Sequence, residues 1–543
     1  MSVRRDLVLA GPMGSGKTTV GRLVAAMMER AFVDLDARIE ALEQRTIPAL
    51  FAAGEPVFRA AEERAARLWL ARPADAWPEV LAVGGGTLEN ATLAEALGRR
   101  AAIIHLDAPA QDLAARLTAH EVAARPLLAS AADRVARLEA LRRERATGYS
   151  RADARLDTAG TGPRDVAVRV LRALYADDAG PWAGRARELA PGLPSARGVT
   201  IGRGALPFPP VLRAAMLWDA HLPPCHRDAL RGPLAAHAPG GLAWLEIPGG
   251  EPAKTPEMLA RVWDALLDAG LDRDMPLWAA GGGTITDLAG LAAATFKRGV
   301  PLALLPTTLL AQLDAALGGK NGINLAGTKN TVGTLRLPER VHLDPLFLLT
   351  LPPAELAAGM AEAVKSALIG DAELLDAIEE GAAHEEGWPL PHLEEIASRA
   401  ARVKLAIVDR DLEEHDERRK LNLGHTLGHA LETATRARAV PLTHGEAVAI
   451  GTVFALELAD RAGLLRERAL LDRIPGLFHA LGLPAALPAL DAAEQAALAR
   501  ALAHDKKRAG GEQPWVLPVR AGEVVIAPVP ASTVGALLAE ELA

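Results

Sequence analysis

The most restrictive pattern in the chain is a glycine-rich turn between a short apolar run and a helical pattern. Residues 6–10 are apolar enough to predict a strand, and residues 17–28 have the spacing of a helix. Between them Gly11, four further residues and Gly16 lead directly into Lys17 and Thr18. A strand, such a turn and a helix in this order open a doubly wound α/β domain with a parallel sheet.

The residues of this turn predict where a nucleotide binds. Its backbone N–H groups face the phosphates at a helix N-terminus, Lys17 can reach the transferred phosphoryl group, and Thr18 can ligate Mg²⁺. We therefore expect this P-loop to bind ATP with Mg²⁺ through Gly11, Gly14, Ser15, Gly16, Lys17, Thr18 and Thr19.

Composition narrows the class of protein. With 543 residues, half of them apolar, and a mean hydropathy of +0.11, the chain is globular and long enough for several domains. No apolar run is long enough for a membrane helix, and no secretory leader is recognised. The net charge of -8 disfavours nucleic acid as a partner, and the single Cys225 leaves any metal to histidines and carboxylates. We expect a cytoplasmic protein that acts on small molecules.

Changes in composition predict the domain organisation. Short apolar runs alternate with helical patterns over residues 1–175, and residues 176–197 are rich in Gly, Pro and charge, as linkers are. A second α/β pattern covers residues 198–345, and residues 346–543 are mainly helical.

Lysine is scarce, because only ten of the 60 basic residues are lysine. Either arginine or lysine can form an exposed salt bridge. In a chain that strongly prefers arginine, lysine is therefore expected to persist where a compact ammonium group is needed. Lys17 is the only lysine before Lys254, which supports a role for it in the turn.

Further motifs follow the turn in a fixed order: Asp34-Leu-Asp36, Phe58-Arg59, Gly84 to Gly86, and Arg125-Pro126. Taken together they resemble shikimate kinase, over about residues 5–175. The resemblance implies that Asp34 lies near Mg²⁺, that Asp36 orients the acceptor hydroxyl, and that Arg125 sits in a lid. It also implies a shikimate site made of Arg59, Gly84, Gly85, Gly86 and Arg145 beside Asp36.

A second constellation lies in the helical region. His425 and His429 are four residues apart on one helix face, and His444 follows, while Glu362 and Lys365 share a face of an earlier helix. Any three of Glu362, His425, His429 and His444 could hold zinc with an open position, and spacing alone does not choose among them.

With Gly281 to Asp287, Pro306 to Leu310 and Gly318-Gly319-Lys320, these residues resemble 3-dehydroquinate synthase over about residues 198–510. The resemblance implies NAD⁺ as a cofactor, Glu362, His425 and His444 as ligands of Zn²⁺ or Co²⁺, and His429 facing substrate. It implies nucleotide contacts from Asp219, Glu251, Lys254, Gly282, Gly283, Asp287, Thr307 and Thr308. The residues that it implies act on or bind the substrate are Asp314, Lys320, Lys329, Asn330, Lys365, Lys404, Arg418 and Asn422. Arg298 would reach across a homodimer, and Lys507 or Lys506 would close over the phosphate.

Together the two resemblances imply a bifunctional enzyme of the shikimate pathway. One half would phosphorylate shikimate from ATP, and the other would convert the phosphorylated keto acid DAHP to 3-dehydroquinate and phosphate. Two alternatives remain at this stage. One half could be a regulatory or binding module, or the second half could be a zinc- and NAD-dependent polyol dehydrogenase, which would need fewer phosphate-binding cations.

Overall fold

In the computed structural model the chain folds into two compact units. The first takes residues 1–185 with 203–205 and 224–229, and the second takes residues 186–202, 206–223 and 230–543. The structure describes residues 6–73, 75–118, 121–122, 125–129, 132–176, 186–206, 208–326, 328–385, 387–508 and 513–542.

The first unit is built on a five-stranded parallel sheet in the order β2-β3-β1-β4-β5. The strands are β1 (Asp6–Ala10), β2 (Ala31–Asp34), β3 (Glu79–Ala82), β4 (Ala101–Asp107) and β5 (Ala154–Asp157). The helices are Lys17–Met27, Leu35–Glu43, Ile47–Ala52, Glu55–Leu70, Ala91–Arg100, Ala110–Ala115, Pro126–Ala129, Arg134–Glu144, Ala146–Tyr149 and Pro163–Tyr175.

The sequence explains why β1 and β4 lie in the middle of this sheet. Both strands are buried along their whole length, as expected when helices cover both faces of a parallel sheet. On one face Val8 and Leu81 pack with Trp69 of the helix Glu55–Leu70 in one continuous core. Because parallel strands all end at the same edge, the loops after β1, β2 and β3 meet there.

The second unit contains a seven-stranded sheet in the order β6-β7-β14-β11-β10-β8-β9. Its pairs are parallel except the first, β6 with β7. The strands are β6 (Arg187–Glu188), β7 (Val199–Ile201), β8 (Ala214–Asp219), β9 (Leu242–Ile247), β10 (Leu277–Gly281), β11 (Leu302–Pro306) and β14 (Arg340–Leu343). The helices Pro256–Asp268 and Gly283–Thr295 belong to this α/β part, and the helix Pro224–His237 divides between the units.

Chain order reverses within this sheet next to β8, since β9 lies on one side of β8 and β10 on the other. Ligands of open α/β sheets bind at such a switch point, beyond the carboxyl ends of the strands. Asp219 ends β8, and Gly282 and Gly283 follow β10, so these predicted nucleotide contacts lie at this position.

The rest of the second unit is mainly helical, so the predicted fold class is confirmed. Its helices are Pro353–Gly370, Glu373–Ala382, Leu390–Arg410, His425–Thr435, His444–Arg461, Leu470–Ala480, Ala492–Arg508 and Ala531–Glu541. Two antiparallel hairpins accompany them, β12 (Lys320–Leu325) with β13 (Thr328–Leu335) and β15 (Gln513–Arg520) with β16 (Glu523–Val529). Among the described helices, none is long and apolar enough to cross a membrane.

Candidate active sites

The glycine turn after β1 is pressed against its neighbours. A side-chain carbon placed on Gly11 would lie 2.1 Å from the Leu106 carbonyl oxygen, and one on Gly14 would lie 2.4 Å from that of Leu113. Gly14 also has φ +81°, which favours glycine. The turn thus keeps its shape only with glycine here, and it leads directly into the helix that begins at Lys17.

Lys17 closes this turn. Its Nζ donates to the carbonyl oxygens of Gly11 and Pro12 at 2.9 and 3.0 Å. Burial, with the nearby charges of Arg125 and Arg145, lowers the pKa of Lys17 to about 8, although Asp36 and Asp34 oppose the shift. An anion bound next to Lys17 would raise its pKa again and so stabilise the charged ammonium group.

Thr18 and Asp34 lie together as the sequence predicts, because the Thr18 hydroxyl donates to Asp34 Oδ2 at 2.8 Å. Asp34 also caps the next helix by accepting from the backbone N–H of Asp36 at 3.0 Å. A hydroxyl and a carboxylate oxygen at the foot of a phosphate loop are ligands that Mg²⁺ prefers. Ser15 of the turn is buried, and its hydroxyl has no hydrogen-bond partner among the described residues, while Thr19 is exposed on the first helical turn.

The predicted acceptor residues converge on the turn that follows β3. A side-chain carbon on Gly84 would lie 3.4 Å from Asp36 Oδ1, one on Gly85 2.8 Å from Arg145 Nη1, and one on Gly86 2.6 Å from Arg59 Nη2. Asp36 opens onto the cleft, yet the crowded walls and the neighbouring Asp34 raise its pKa to about 6. Two guanidinium groups and one carboxylate therefore face a single turn, which suits a hydroxylated carboxylic acid.

Glu62 is a member of this site that the sequence analysis missed. It is only 3% exposed, accepts from Arg59 Nη1 at 2.8 Å and accepts from the Thr87 hydroxyl at 2.6 Å. Partial burial lowers the pKa of Arg59, but the nearby carboxylates of Glu62 and Glu55 have the larger effect, so its pKa is raised. The available signal was its position three residues after Arg59 on one helix face.

Arg125 lies near both reactive groups. Its Nη1 donates to the Glu121 carbonyl at 2.9 Å, and its positive charge lowers the pKa of Lys17 and of Asp36. The cation is therefore close to the space where a transferred phosphoryl group would pass.

In the second unit, three helices bring Glu362, His425 and His444 together. Glu362 lies in the middle of the helix Pro353–Gly370, and each histidine is the first residue of its own helix. His444 Nε2 lies 3.2 Å and His425 Nε2 3.5 Å from Glu362 Oε1. The three ligand atoms lie within 4.8 Å of one another, as a metal site requires.

The orientation of the two rings suits one shared ion. His425 Nδ1 contacts the Leu423 carbonyl at 3.1 Å, and His444 Nδ1 contacts Glu432 Oε1 at 2.9 Å, which leaves each Nε2 facing Glu362. Burial and Lys365 lower the pKa of His425 to about 3, so its ring is neutral. Burial opposes charge on His444, but its hydrogen bonds to Glu362 and Glu432 raise its pKa to about 9. A metal ion would take the place of the proton that these carboxylates now hold on His444.

His429 lies beside this trio, as close to His425 as His444 is at 5.2 Å. Its ring centre is 5.1 Å from that of His425 and 6.1 Å from that of His444. A second group of possible ligand atoms, His429 with Glu432 and His444, also lies within 4.8 Å. In that group, however, Glu432 already accepts from His444 Nδ1 and pairs with Lys329.

Buried cations surround the trio. Lys365 pairs with Glu362, and Lys404 pairs with the Asp314 carboxylate while donating to its carbonyl oxygen at 2.6 Å. Burial lowers the pKa of Lys404 even though Asp314 opposes the shift. Arg418, 2% exposed, donates to the carbonyl oxygens of Leu412 and Gly318 at 2.6 and 3.0 Å. This concentration of positive charge suits an anionic substrate.

Glu414 is a second residue that the sequence analysis missed. Its carboxylate pairs with Lys320 through one oxygen and accepts from Asn422 Nδ2 at 3.1 Å through the other. It joins two predicted substrate contacts that are 102 residues apart in the chain (320 and 422). Lys320 and Glu414 are themselves 94 residues apart, so no local spacing could have revealed the pair.

The predicted nucleotide contacts form a linked set near the sheet edge. Buried Lys254 donates to Asp287 Oδ2 at 2.7 Å and also contacts Asn330, and Glu251 accepts from Asn324 at 2.8 Å. Burial raises the pKa of Asp287 to about 6 despite Lys254. The other predicted contacts here are Asp219, Gly282, Gly283, Thr307 and Thr308, and the Thr307 N–H donates to the Gly281 carbonyl at 3.0 Å.

Crowding at this edge is consistent with a nucleotide lying against backbone. A side-chain carbon on Gly282 would lie 3.1 Å from the Thr308 methyl carbon, and one on Gly283 would lie 3.3 Å from the Ala315 side chain. Only small residues leave room there.

The remaining predictions concern other cations. Lys329 Nζ lies 3.2 Å from Glu432 Oε2. Arg298 is exposed and has φ +65°, in the left-handed region. The predictions for Lys506 and Lys507 lie outside the described side chains.

Comparison with known families places both halves. The shikimate kinase model matches residues 13–175, and the N-terminal and C-terminal models of 3-dehydroquinate synthase match residues 244–358 and 359–508. The three matches cover the two constellations without overlap.

Individual relatives agree. The 3-dehydroquinate synthase of Symbiobacterium thermophilum is 39% identical over 323 residues, which are 59% of this chain and 88% of that protein. That of Azotobacter vinelandii is 40% identical over 314 residues, 58% of this chain and 83% of that protein. A solved structure of 2-epi-5-epi-valiolone synthase from Streptomyces hygroscopicus, with NAD⁺ and Zn²⁺ bound, is 32% identical with a TM-score of 0.55. It matches 66% of this chain and 94% of its own. The chain thus belongs to the 3-dehydroquinate synthase family, and a shikimate kinase domain precedes its synthase domains.

Proposed function

We propose that the protein carries out two reactions of the shikimate pathway with separate sites. The first unit phosphorylates shikimate from MgATP, and the second converts DAHP to 3-dehydroquinate and phosphate. The observation that carries the proposal is that each unit brings its predicted reactive groups together. Lys17 and Asp36 lie at one cleft of the first unit, and the Glu362 trio lies among buried cations in the second.

In the kinase half, the chain's own residues provide binding and orientation. The loop N–H groups and Lys17 hold the phosphates, and Thr18 with Asp34 would hold Mg²⁺, which shields phosphate charge when bound. Arg59 and Arg145 bind the substrate carboxylate, and Asp36 accepts a hydrogen bond from the hydroxyl that attacks the phosphoryl group. Arg125 then faces the charge that passes between them.

In the synthase half, Glu362, His425 and His444 would hold zinc, which makes a substrate alcohol more acidic when bound. The contacts at the switch point would hold NAD⁺, the acceptor and later the donor of one hydride. Lys404 with Asp314, Arg418, and Lys320 with Glu414 orient the anionic substrate. Phosphate leaves by elimination while the substrate is oxidised, and the hydride then returns, so the reaction has no net redox change. Ring opening and an internal aldol closure complete the product.

The choice of metal ligands is testable. We expect His425→Ala, His444→Ala and Glu362→Ala to lose zinc and synthase activity together, because each removes one of three converging ligands. His429→Ala should keep its zinc and lose turnover. Elemental analysis measures the metal, circular dichroism shows whether the helices of the synthase unit are kept, and kinase activity should stay intact in all four variants. Loss of zinc in His429→Ala with retention in His444→Ala would reverse the assignment.

The proposal competes with one in which a single half is active. In the full chain, shikimate phosphorylation and phosphate release from DAHP should both be measurable in the wild type. Absence of either activity, with its cofactors supplied, would favour the alternative. The polyol dehydrogenase alternative predicts instead a net change in NADH absorbance with a simple polyol.

We further propose that the synthase half acts as a homodimer in which Arg298 reaches the partner's substrate. In support, the backbone of Arg298 is left-handed although it is not glycine, and such strain is usually kept for function. Mixing inactive Arg298→Ala with inactive His425→Ala should restore about a quarter of wild-type activity, from one complete site in each mixed dimer. No recovery would contradict the shared site. We also propose a cytoplasmic location, which the requirement for ATP and NAD⁺ supports.

A further inference from the structure

Glu432 lies beside the metal trio but is not among the residues that either motif predicts. It sits on the helix His425–Thr435, with its side chain only 13% exposed. Its Oε1 accepts from His444 Nδ1 at 2.9 Å, and its Oε2 lies 3.2 Å from Lys329 Nζ. Both carboxylate oxygens are therefore occupied by groups of this chain.

The two histidines of the trio differ in what orients them. His425 Nδ1 contacts a backbone carbonyl, that of Leu423, so the fold itself fixes this ring. His444 is the first residue of its helix, and its side chain is 33% exposed, so its ring has room to turn. Among the described residues, its Nδ1 contacts the carboxylate of Glu432. The ring of His444 is thus oriented by a side chain, whereas that of His425 is oriented by the backbone.

The chemistry of imidazole gives this contact a consequence. A neutral ring has one N–H and one lone pair, and a carboxylate that accepts from Nδ1 keeps the lone pair on Nε2. In this structure His444 Nε2 is the nitrogen that faces Glu362 Oε1, at 3.2 Å. Carboxylates that accept from the outer nitrogen of a metal-bound histidine also increase its basicity as a ligand.

We propose that Glu432 is a positioning residue that aims His444 Nε2 at the metal and strengthens its bond to the ion. The inference rests on the proposed zinc site of the synthase half. Glu432 is not placed as a ligand of that ion, because it contacts His444 at Nδ1, whereas the Nε2 on the far side of the ring faces Glu362.

The test measures zinc affinity of the full chain rather than activity alone. We expect Glu432→Ala to raise the zinc dissociation constant by about 10- to 100-fold, measured by competition with a chromophoric chelator. Glu432→Gln should lie between Ala and wild type, because an amide oxygen still accepts from Nδ1 but carries no charge. With Co²⁺ in place of zinc, Glu432→Ala should change the visible absorption of the bound ion. Circular dichroism reports whether the synthase unit of each variant keeps its helices, and shikimate phosphorylation should be unchanged.

Glu446 is the matched control. It lies two residues after His444 and completes a capping box by accepting from the Thr443 N–H at 2.8 Å, so its carboxylate is engaged with Thr443. Glu446→Gln should weaken the start of this helix but keep the zinc dissociation constant near that of the wild type. Equal loss in both variants would mean that Glu432 only stabilises the helices, and it would overturn the proposal.

Other outcomes are also decisive. An unchanged dissociation constant and an unchanged cobalt spectrum in Glu432→Ala would refute the role of Glu432 while leaving the zinc site intact. If His425→Ala keeps the zinc of the wild type, the proposed zinc site itself is wrong. Lys329→Met, measured only for zinc affinity, should be near wild type, and a loss as large as that of Glu432→Ala would assign the effect to the hairpin.

Discussion

The two reactive groups of the kinase cleft predict a narrow pH range for shikimate phosphorylation. Asp36 must be ionised to accept from the substrate hydroxyl, and Lys17 must be protonated to bind phosphate. Burial and Asp34 raise the pKa of Asp36 to about 6, and burial with nearby arginines lowers that of Lys17 to about 8. The experiment varies the pH of the assay from about 4 to 9 with the unmodified protein.

The pH–activity profile has an acid limb set by Asp36 and a basic limb set by Lys17. The direction in which each pKa is shifted decides where activity is lost. The active form of Asp36 is lost as pH falls through about 6, so roughly a tenth of the molecules carry the carboxylate at pH 5 and most carry it at pH 7. The active form of Lys17 is lost as pH rises through about 8. We therefore expect kcat/KM for shikimate to fall about tenfold from pH 7 to pH 5 and kcat/KM for ATP to fall above pH 8, because kcat/KM reports the free enzyme.

The assay couples ADP release to NADH oxidation by excess auxiliary enzymes, with rates shown to be independent of their amount at each pH. At saturating MgATP the basic limb of kcat should move above pH 8, because phosphate oxygens next to Lys17 favour its ammonium. Arg125→Gln supplies a second check. The positive charge of Arg125 lowers both pKa values, so its removal should move both limbs to higher pH even as the rate falls.

An acid limb near pH 4 in the wild type would refute the reasoning, since an aspartate with its ordinary pKa would then be sufficient. Limbs that move in opposite directions in Arg125→Gln would also refute it. The synthase activity of the same samples controls for loss of protein at the extremes of pH.

Three further predictions concern single residues. Lys17→Ala should abolish shikimate phosphorylation and leave phosphate release from DAHP unchanged, and equal loss of both activities would show that the units depend on each other. Gly11→Ala should lose ATP binding by titration calorimetry, because its methyl carbon would lie 2.1 Å from the Leu106 carbonyl oxygen, and normal affinity would contradict that contact. Glu414→Ala should lower synthase kcat/KM by about 10- to 100-fold with unchanged zinc content, since it leaves Lys320 without its carboxylate, and a normal rate would reduce that ion pair to a surface contact.

Sequence patterns were informative where one local signal was sufficient. The runs at Asp6–Ala10 and Leu242–Ile247 are strands with the expected ends, because short apolar runs between polar or glycine-rich segments are typical of parallel strands, although only the first run is fully buried. The hairpin of β12 and β13 was not anticipated. Strand β13 is exposed at nearly every position, so it carries no alternating apolar pattern.

The candidate sites show the same limit. The phosphate loop is contiguous in sequence, whereas Glu62, Glu414 and Glu432 each have at least one partner that is far away in the chain. The Thr87 hydroxyl that binds Glu62 is 25 residues away, and the Lys329 that pairs with Glu432 is 103 residues away. Helix spacing could not choose between His425 and His429 because residues four apart share one face.

The division of one chain into two compact units also sets how the cell can adjust the two activities. Their molar ratio is fixed at synthesis, so gene dosage and promoter strength cannot change one capacity without the other. Turnover is shared in the same way, because a protease that engages one unfolded unit can remove both from the pool. Selection for a different balance of flux therefore has to act on the turnover numbers of the two sites, and a destabilising substitution in either unit lowers the abundance of both enzymes.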